Sequence, residues 1–199
     1  MAFRRLGGAA GLALAGFVIL GCDRVAPSVM PTASEAASAA ACSALISAAD
    51  LAQPATIDAL DACRLTVAGA AAGRTILETH PSGSQLWAAL YVYAASGHDP
   101  APMLPLLSSE SASIRVMAGA AVFAFGDRAG MDALTAALTD QDQLAGSAPP
   151  LPIADFAAAS LARYVDAPDA PDATADWATW LASNGASLTF NVTDGLWRP

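Results

Sequence analysis

Apolar residues recur every three or four positions along most of the chain, which is the spacing of one face of an α-helix. Ile114, Met117 and Ala121 are one such set. The pattern predicts helices over residues 35–52, 56–79, 84–96, 101–108, 112–125, 130–139, 153–165 and 173–183. Gly69 and Gly73 weaken the second of these helices and could break it. We therefore expect an all-α fold across residues 35–185.

The last residues follow a different pattern. Residues 187–192 alternate apolar and polar side chains, as a short strand does, and the turn signal Thr193-Asp194-Gly195 follows. Residues 186–199 are therefore predicted to form a hairpin or extended tail that folds back onto the last helix and caps the helical domain. The alternative interpretation of the tryptophans at 177, 180 and 197 is an exposed aromatic patch for a ligand or partner.

The middle of the chain repeats itself with an offset of thirty residues. This offset places Ala88 on Ala118, Val92 on Val122, Tyr93 on Phe123, Ala94 on Ala124 and Leu104 on Leu134. Each unit is a long helix, a glycine-containing turn and a short helix. Repeats of this length indicate stacked helical units, because one unit cannot bury its apolar stripe alone.

A longer motif lies within this repeat. Residues 106–121 read LLSSESASIRVMAGAA, and Phe125-Gly126-Asp127 closes the unit. This order resembles the bacterial HEAT-repeat family, in which a leucine pair, a polar turn, Val-Arg, an alanine-rich helix and Gly-Asp follow one another. The resemblance covers roughly residues 84–166 and implies a short right-handed α-solenoid of stacked helical hairpins. It also implies that Arg115 and Asp127 bond within and between repeats and that the surface binds other proteins.

The N-terminus carries a processing signal rather than part of the fold. Arg4 and Arg5 precede fifteen apolar or small residues, and Gly21-Cys22 follows. The layout resembles a bacterial lipoprotein signal peptide. The resemblance implies removal of residues 1–21, lipidation of Cys22 and a linker over residues 22–34. An ordinary secretory signal and an N-terminal membrane helix are the alternatives, although fifteen apolar residues are short for a spanning helix.

Lipidation of Cys22 implies a membrane-anchored protein of the bacterial cell envelope that faces the periplasm. Asp23 follows the cysteine and resembles an inner-membrane retention signal, which slightly favours that membrane over the outer one. Without Arg4 and Arg5, seven arginines face eighteen acidic residues, a formal charge of −11. This balance argues against nucleic-acid binding, since such proteins need basic surfaces.

If Cys22 is lipidated, Cys42 and Cys63 remain as an even pair in an oxidising compartment. Each lies on the apolar face of one of two neighbouring predicted helices, so we expect a disulfide between them. Two small buried thiols are the alternative. We expect no metal site, because neither cysteine has a second cysteine or histidine at ligand spacing.

The sequence offers little catalytic chemistry, and we expect neither an enzyme nor a cofactor. His98-Asp99 could act as a general base, but no nucleophile motif accompanies it. The leading hypothesis is a protein–protein interaction module whose partner is a protein of the cell envelope. The alternative is a lipoprotein that binds a small molecule or peptide in a pocket lined by Trp87, Tyr91 and Tyr93.

Overall fold

The structure is a computed structural model and describes residues 33–49, 54–97, 99–145, 147, 150–172 and 174–199. The predicted signal peptide, most of the linker with Cys22, and His98 lie outside the described residues. Eight α-helices and one small two-stranded sheet make up the regular structure of the described part. The expected all-α class is therefore correct at the level of secondary structure.

The helices follow one another with short connections through most of the chain. They are α1 (Ala33–Ser47), α2 (Pro54–Arg64), α3 (Val67–Glu78), α4 (Gly83–Ser96), α5 (Ala112–Ala124), α6 (Arg128–Ala137), α7 (Ile153–Tyr164) and α8 (Thr174–Asn184). A short 3₁₀ helix (Leu104–Ser108) lies between α4 and α5. Within the described residues, no helix is both long enough and apolar enough to cross a bilayer.

The single helix predicted over residues 56–79 is in fact two helices, α2 and α3. The chain breaks at Leu65-Thr66, and the Thr66 hydroxyl caps α3 by accepting a hydrogen bond from the Gly69 amide at 2.9 Å. The two glycines do not cause the break. Both lie inside α3, and a Cβ on Gly73 would stand 3.0 Å from the Cβ of Tyr93. These glycines let α3 approach its neighbours closely.

The helix predicted over residues 101–108 is also shorter than expected. Residues 101–103 form a turn, and only Leu104–Ser108 are helical, with 3₁₀ geometry. Pro102 and Pro105 explain the difference, because proline lacks the amide hydrogen that a longer helix needs. Leu104 is 37% exposed, whereas its repeat counterpart Leu134 is fully buried. The thirty-residue repeat is therefore accurate for α4 and α5 but not for the short elements that follow them.

The helices pack mainly against the next helix in the chain or the next but one. The most extensive contacts join α5 with α6, α3 with α4, and α1 with α3, and α7 rests on both α5 and α6. The four repeat positions of α4 and the four of α5 are all buried. Both helices therefore lie at the centre of a continuous core that extends from Cys42 to Trp197. Such packing between successive elements lets each helix cover the apolar face of the last.

The tail forms the predicted hairpin. Strand β1 (Thr189–Asn191) pairs antiparallel with β2 (Leu196–Arg198), and Phe190 stands opposite Trp197. The hairpin's main aromatic contact is with α5 rather than with the last helix. The indole of Trp197 stacks on the Phe123 ring at 5.0 Å, and its Nε1 donates to the Phe123 carbonyl at 3.0 Å. The backbone of β2 also meets the chain just after α7, through a bridge between Trp197 and Val165.

Candidate functional site

The predicted disulfide is present between Cys42 and Cys63. It joins α1 to the last turn of α2, with the two Cα atoms 5.8 Å apart. Both half-cystines are almost fully buried. Ile46, one helical turn after Cys42, is the other fully covered side chain of α1. The first helix is therefore fixed to the domain by one covalent link and by its packing on α3, to which it contributes few large buried side chains.

Large exposed apolar side chains follow each half-cystine closely in the sequence. Leu45 is 38% exposed and follows Cys42 by three residues, while Leu65 (62% exposed) and Val67 (46% exposed) follow Cys63 by two and four residues. We call these three residues the elbow patch. The sequence pattern missed it, because a continuous helix over residues 56–79 hides the exposed turn that carries Leu65. The Thr66 cap signal, three residues before Gly69, is the feature that could have revealed it.

Behind the disulfide, α2 and α4 are joined by a polar cluster. The hydroxyl of Tyr91 donates to Asp61 at 2.7 Å, and Arg64 pairs with the same carboxylate at 3.0 Å. The Arg64 guanidinium also lies over the Tyr91 ring, which stacks on Trp87 at 5.2 Å. Burial, together with the hydrogen bond to Asp61, raises the pKa of Tyr91 well above its usual value. The cluster fixes the two helices and keeps the phenol protonated.

Tyr93 belongs to a different part of the core from Trp87 and Tyr91. Its hydroxyl donates to the Asp99 carbonyl at 2.9 Å, and its ring meets Phe125 edge to face. Burial and the nearby charge of Asp99 raise its pKa. The structure therefore does not bring the three proposed pocket residues to one place. All three rings are at most 8% exposed, so a ligand could reach them only if the helices separated.

Arg115 and Asp127 make separate contacts. Arg115 donates to the carbonyl oxygens of Ser109 and Glu110, at 2.7 and 2.9 Å, and so fixes the turn that leads into α5. Asp127 accepts a hydrogen bond from the Ala129 amide and caps α6. Both side chains organise the ends of helices within the repeat that resembles the HEAT family.

Arg128 holds the C-terminal segment, a function that the sequence did not suggest. Its guanidinium donates to the carbonyl oxygens of Gly185, Ala186 and Leu188, and it lies over the Trp197 ring at 5.6 Å. The residues after α8 supply carbonyl groups that no helix satisfies, and an arginine fork suits several acceptors at once. A first-turn arginine is common on solvated helices, so sequence alone gives no signal for this contact.

The remaining titratable residues are scattered. Among the described residues, no three histidine, cysteine, aspartate or glutamate side chains are grouped as a metal site requires. The carboxylate of Asp140 accepts a hydrogen bond from the Asp142 amide, which makes it part of a turn. His80 is exposed in the turn between α3 and α4 and has a left-handed backbone, with φ of 52°.

The surface is acidic because eighteen acidic residues outnumber nine arginines. Each arginine of the described residues contacts a carboxylate, a carbonyl group or an aromatic ring of the same chain: Arg64, Arg74, Arg115, Arg128, Arg163 and Arg198. Exposed carboxylates such as Asp132, Asp169 and Asp172 are left facing solvent. The protein therefore presents a negative field to an approaching molecule.

Comparisons with protein-family models, with curated proteins and with solved structures found no match for this chain.

Proposed function

We propose that this protein is a periplasm-facing lipoprotein that binds another protein of the cell envelope through HEAT-like repeats, without catalysis. The observation that carries the proposal is the combination of the lipobox-like Cys22 with a stack of helices in which each packs on the next helix or the next but one. Cys22 supports the membrane location, and the helical stack supports a surface for binding another protein.

The packing of the helices supports the HEAT-like part of the proposal. Helices α5 and α6 form the closest pair, with Asp127 capping the turn between them, and α7 rests on both. A solenoid needs this kind of contact, in which each unit buries the face of the one before it. Arg115 and Asp127 take the local bonding positions that the family resemblance implies.

The disulfide supports the periplasmic part. Disulfides persist in oxidising compartments and are rare in the cytosol. The link between Cys42 and Cys63 lies only twenty residues beyond Cys22. A disulfide-bonded helical hairpin that begins shortly after the lipidated cysteine is consistent with a protein that is exported and then lipidated.

The excess of carboxylates over arginines indicates that the partner is basic. A surface whose carboxylates outnumber its available cations attracts basic partners and accelerates their encounter. Affinity would then come from apolar contacts and shape, since exposed charge pairs contribute little to stability of a complex at physiological salt.

Zero-length carboxyl-to-amine crosslinking in intact membranes tests the proposal. The chain contains no lysine, so its carboxylates cannot couple to lysines of another copy, and adducts report other proteins. We expect a specific envelope protein to be recovered with the wild type and lost with Cys22→Ser. Recovery of no specific protein under several growth conditions would contradict the interaction.

A pair of variants sharpens this experiment. Asp169→Asn with Asp172→Asn removes two exposed carboxylates near the start of α8, and Glu110→Gln removes one beside the start of α5. If the acidic field steers the partner, both changes lower the yield of adduct modestly, and added salt lowers it further. Yields that do not change with salt would rule out steering.

A further inference from the structure

The elbow patch differs from the rest of the surface in both hydropathy and charge. It contains three of the five large apolar side chains that are exposed among the described residues. The adjoining residues 38–49, which comprise most of α1 and the two residues after it, have no charged side chain, in a protein whose net charge is −9. A solvated helix face normally carries charges, so this face is adapted to something other than water.

Asp61 and Arg64, the nearest charged residues that precede Leu65 in the sequence, neutralise each other. Arg64 precedes Leu65 directly, and its guanidinium pairs with Asp61 at 3.0 Å. Its side chain is only 11% exposed, because it lies over the Tyr91 ring. An apolar surface placed against Leu65 and Val67 would therefore not have to bury an unpaired charge, which is the usual cost of such contacts.

The patch is also fixed to the part of the chain nearest the proposed anchor. Ten residues lie between Cys22 and Ala33, the first residue of α1, and the eleven Cα-to-Cα steps can span at most about 40 Å. The disulfide then joins α1 to the turn that carries Leu65. A lipid on Cys22 would hold the patch within reach of the bilayer at a high effective concentration, so a weak apolar contact would be occupied most of the time.

We propose that the elbow patch rests on the bilayer, with Leu45, Leu65 and Val67 at the boundary between headgroups and acyl chains. This inference rests on the lipid anchor of the proposed function and adds an orientation to it. The hairpin of α1 and α2 faces the membrane, and the acidic surface, which has no attraction for anionic lipid, remains available to a partner. A stable dimer interface buries about 1,000 Å², and three part-exposed side chains cover much less than that. A second copy of the chain is therefore the less favoured occupant.

Lipid photolabelling of the full-length, membrane-reconstituted protein tests the orientation. The probe is a phosphatidylcholine vesicle containing phosphatidylcholine with a diazirine near the start of one acyl chain. We expect lipid adducts on peptides that contain Leu45 and on those that contain Leu65 and Val67, at least fivefold above the peptide that contains Val192. Val192 is the matched reference, because it is 77% exposed and lies at the C-terminal hairpin.

Two substitutions make the result specific. Leu65→Asp places a charge in the patch and should reduce adducts on the elbow peptides about fivefold, while Val192→Asp should leave them unchanged. Both side chains are exposed, so neither change should alter the thermal unfolding temperature by more than a few degrees. An adduct pattern that is insensitive to Leu65→Asp overturns the proposal.

The remaining outcomes separate this inference from the proposed function. Mass spectrometry of the N-terminal peptide shows whether Cys22 carries a diacylglyceryl group. If Cys22 is lipidated and the elbow peptides are unlabelled, the orientation is wrong and the anchor stands. If Cys22 is not lipidated, both fail. If labelling of the elbow peptides is as low as that of the Val192 peptide and rises only when excess lipid disperses the copies, a second copy is the occupant and the proposal is overturned.

Discussion

The two ends of the helical domain are held by different chemistry. At the N-terminal end, α1 contributes Cys42 and Ile46 to the core, and a disulfide attaches it to α2. At the C-terminal end, the hairpin contributes a fully covered indole, Trp197, and Arg128 binds three carbonyl groups of the segment that leads into it. The first end depends on one covalent bond, and the second on side-chain burial with hydrogen bonds.

The difference follows from what each segment can bury. Residues 38–49, in α1 and just after it, are mostly alanine and serine. Their backbone lies close to α3, but these small side chains remove little apolar surface from water, and the crosslink adds the stability that burial does not provide. In the hairpin, Trp197 stacks on Phe123 and Phe190 packs against Trp197, and these rings provide a large buried area without a covalent bond. If the chain is tethered through Cys22, any pull from the membrane acts on the covalent end.

The largest expected effect is at the C-terminal end. Trp197→Ala removes the stack on Phe123 and the hydrogen bond to its carbonyl, and we expect it to lower the free energy of unfolding by about 3–5 kcal/mol. Denaturant unfolding measures this. Val192→Ala, at an exposed position of the same hairpin, should change it by less than about 0.5 kcal/mol. Equal effects of the two changes would mean that the hairpin does not cap the core.

Loss of the disulfide should cause the next largest fall in the free energy of unfolding. Its effect on local stability should be concentrated in α1, at the N-terminal end. Cys42→Ala with Cys63→Ala opens a crosslink between residues 21 apart in sequence, which corresponds to about 3 kcal/mol in the chain-entropy model. Helix α1 also packs on α3, but among its described side chains only Cys42 and Ile46 are buried, so hydrogen exchange should accelerate much more in α1 than in α5. Equal acceleration in both helices would show that α1 is an integral part of the cooperative core.

Arg128→Met tests the hydrogen bonds of Arg128 to the C-terminal segment, because methionine keeps the apolar part of the side chain and removes the guanidinium. Three carbonyl groups lose a charged donor, and we expect the free energy of unfolding to fall by about 2 kcal/mol. Arg163→Met is the control, because Arg163 is exposed and lies only over the Tyr164 ring. If chemical denaturation shows equal losses for both arginines, the carbonyl contacts do not stabilise the tail.

The smallest effect concerns pH and the polar cluster behind the disulfide. The pKa of Tyr91 is raised in the folded state, so the phenol keeps its proton above pH 10 while the unfolded chain loses it. Stability therefore falls as the pH rises above about 10, by at most about 1.4 kcal/mol per pH unit for this one group. Tyr91→Phe should cost about 1 kcal/mol at neutral pH and flatten this alkaline decline. Unfolding curves at pH 8 to 11 would contradict the assignment if the decline were unchanged.

The sequence predicted the helices better than the contacts between them. Helical spacing located α4, α5 and α7 within one or two residues, because each has an apolar face that the core covers. It merged α2 with α3, since Leu60, Cys63 and Val67 fit one helical stripe, and only the local cap at Thr66 marks the start of α3. The disulfide was predictable from compartment and spacing. The Arg128 contacts were not, because they depend on where a distant segment returns.

The most direct test of the account is whether Cys22 anchors the protein. Wild-type protein and Cys22→Ser, expressed in the native host, are separated into membrane and soluble fractions, and the N-terminal peptide is examined by mass spectrometry. We predict that the wild type sediments with membranes and carries a diacylglyceryl group on Cys22, and that Cys22→Ser is released. A Cys22→Ser variant that still sediments with membranes, or an unmodified Cys22 in the wild type, would contradict the central claim.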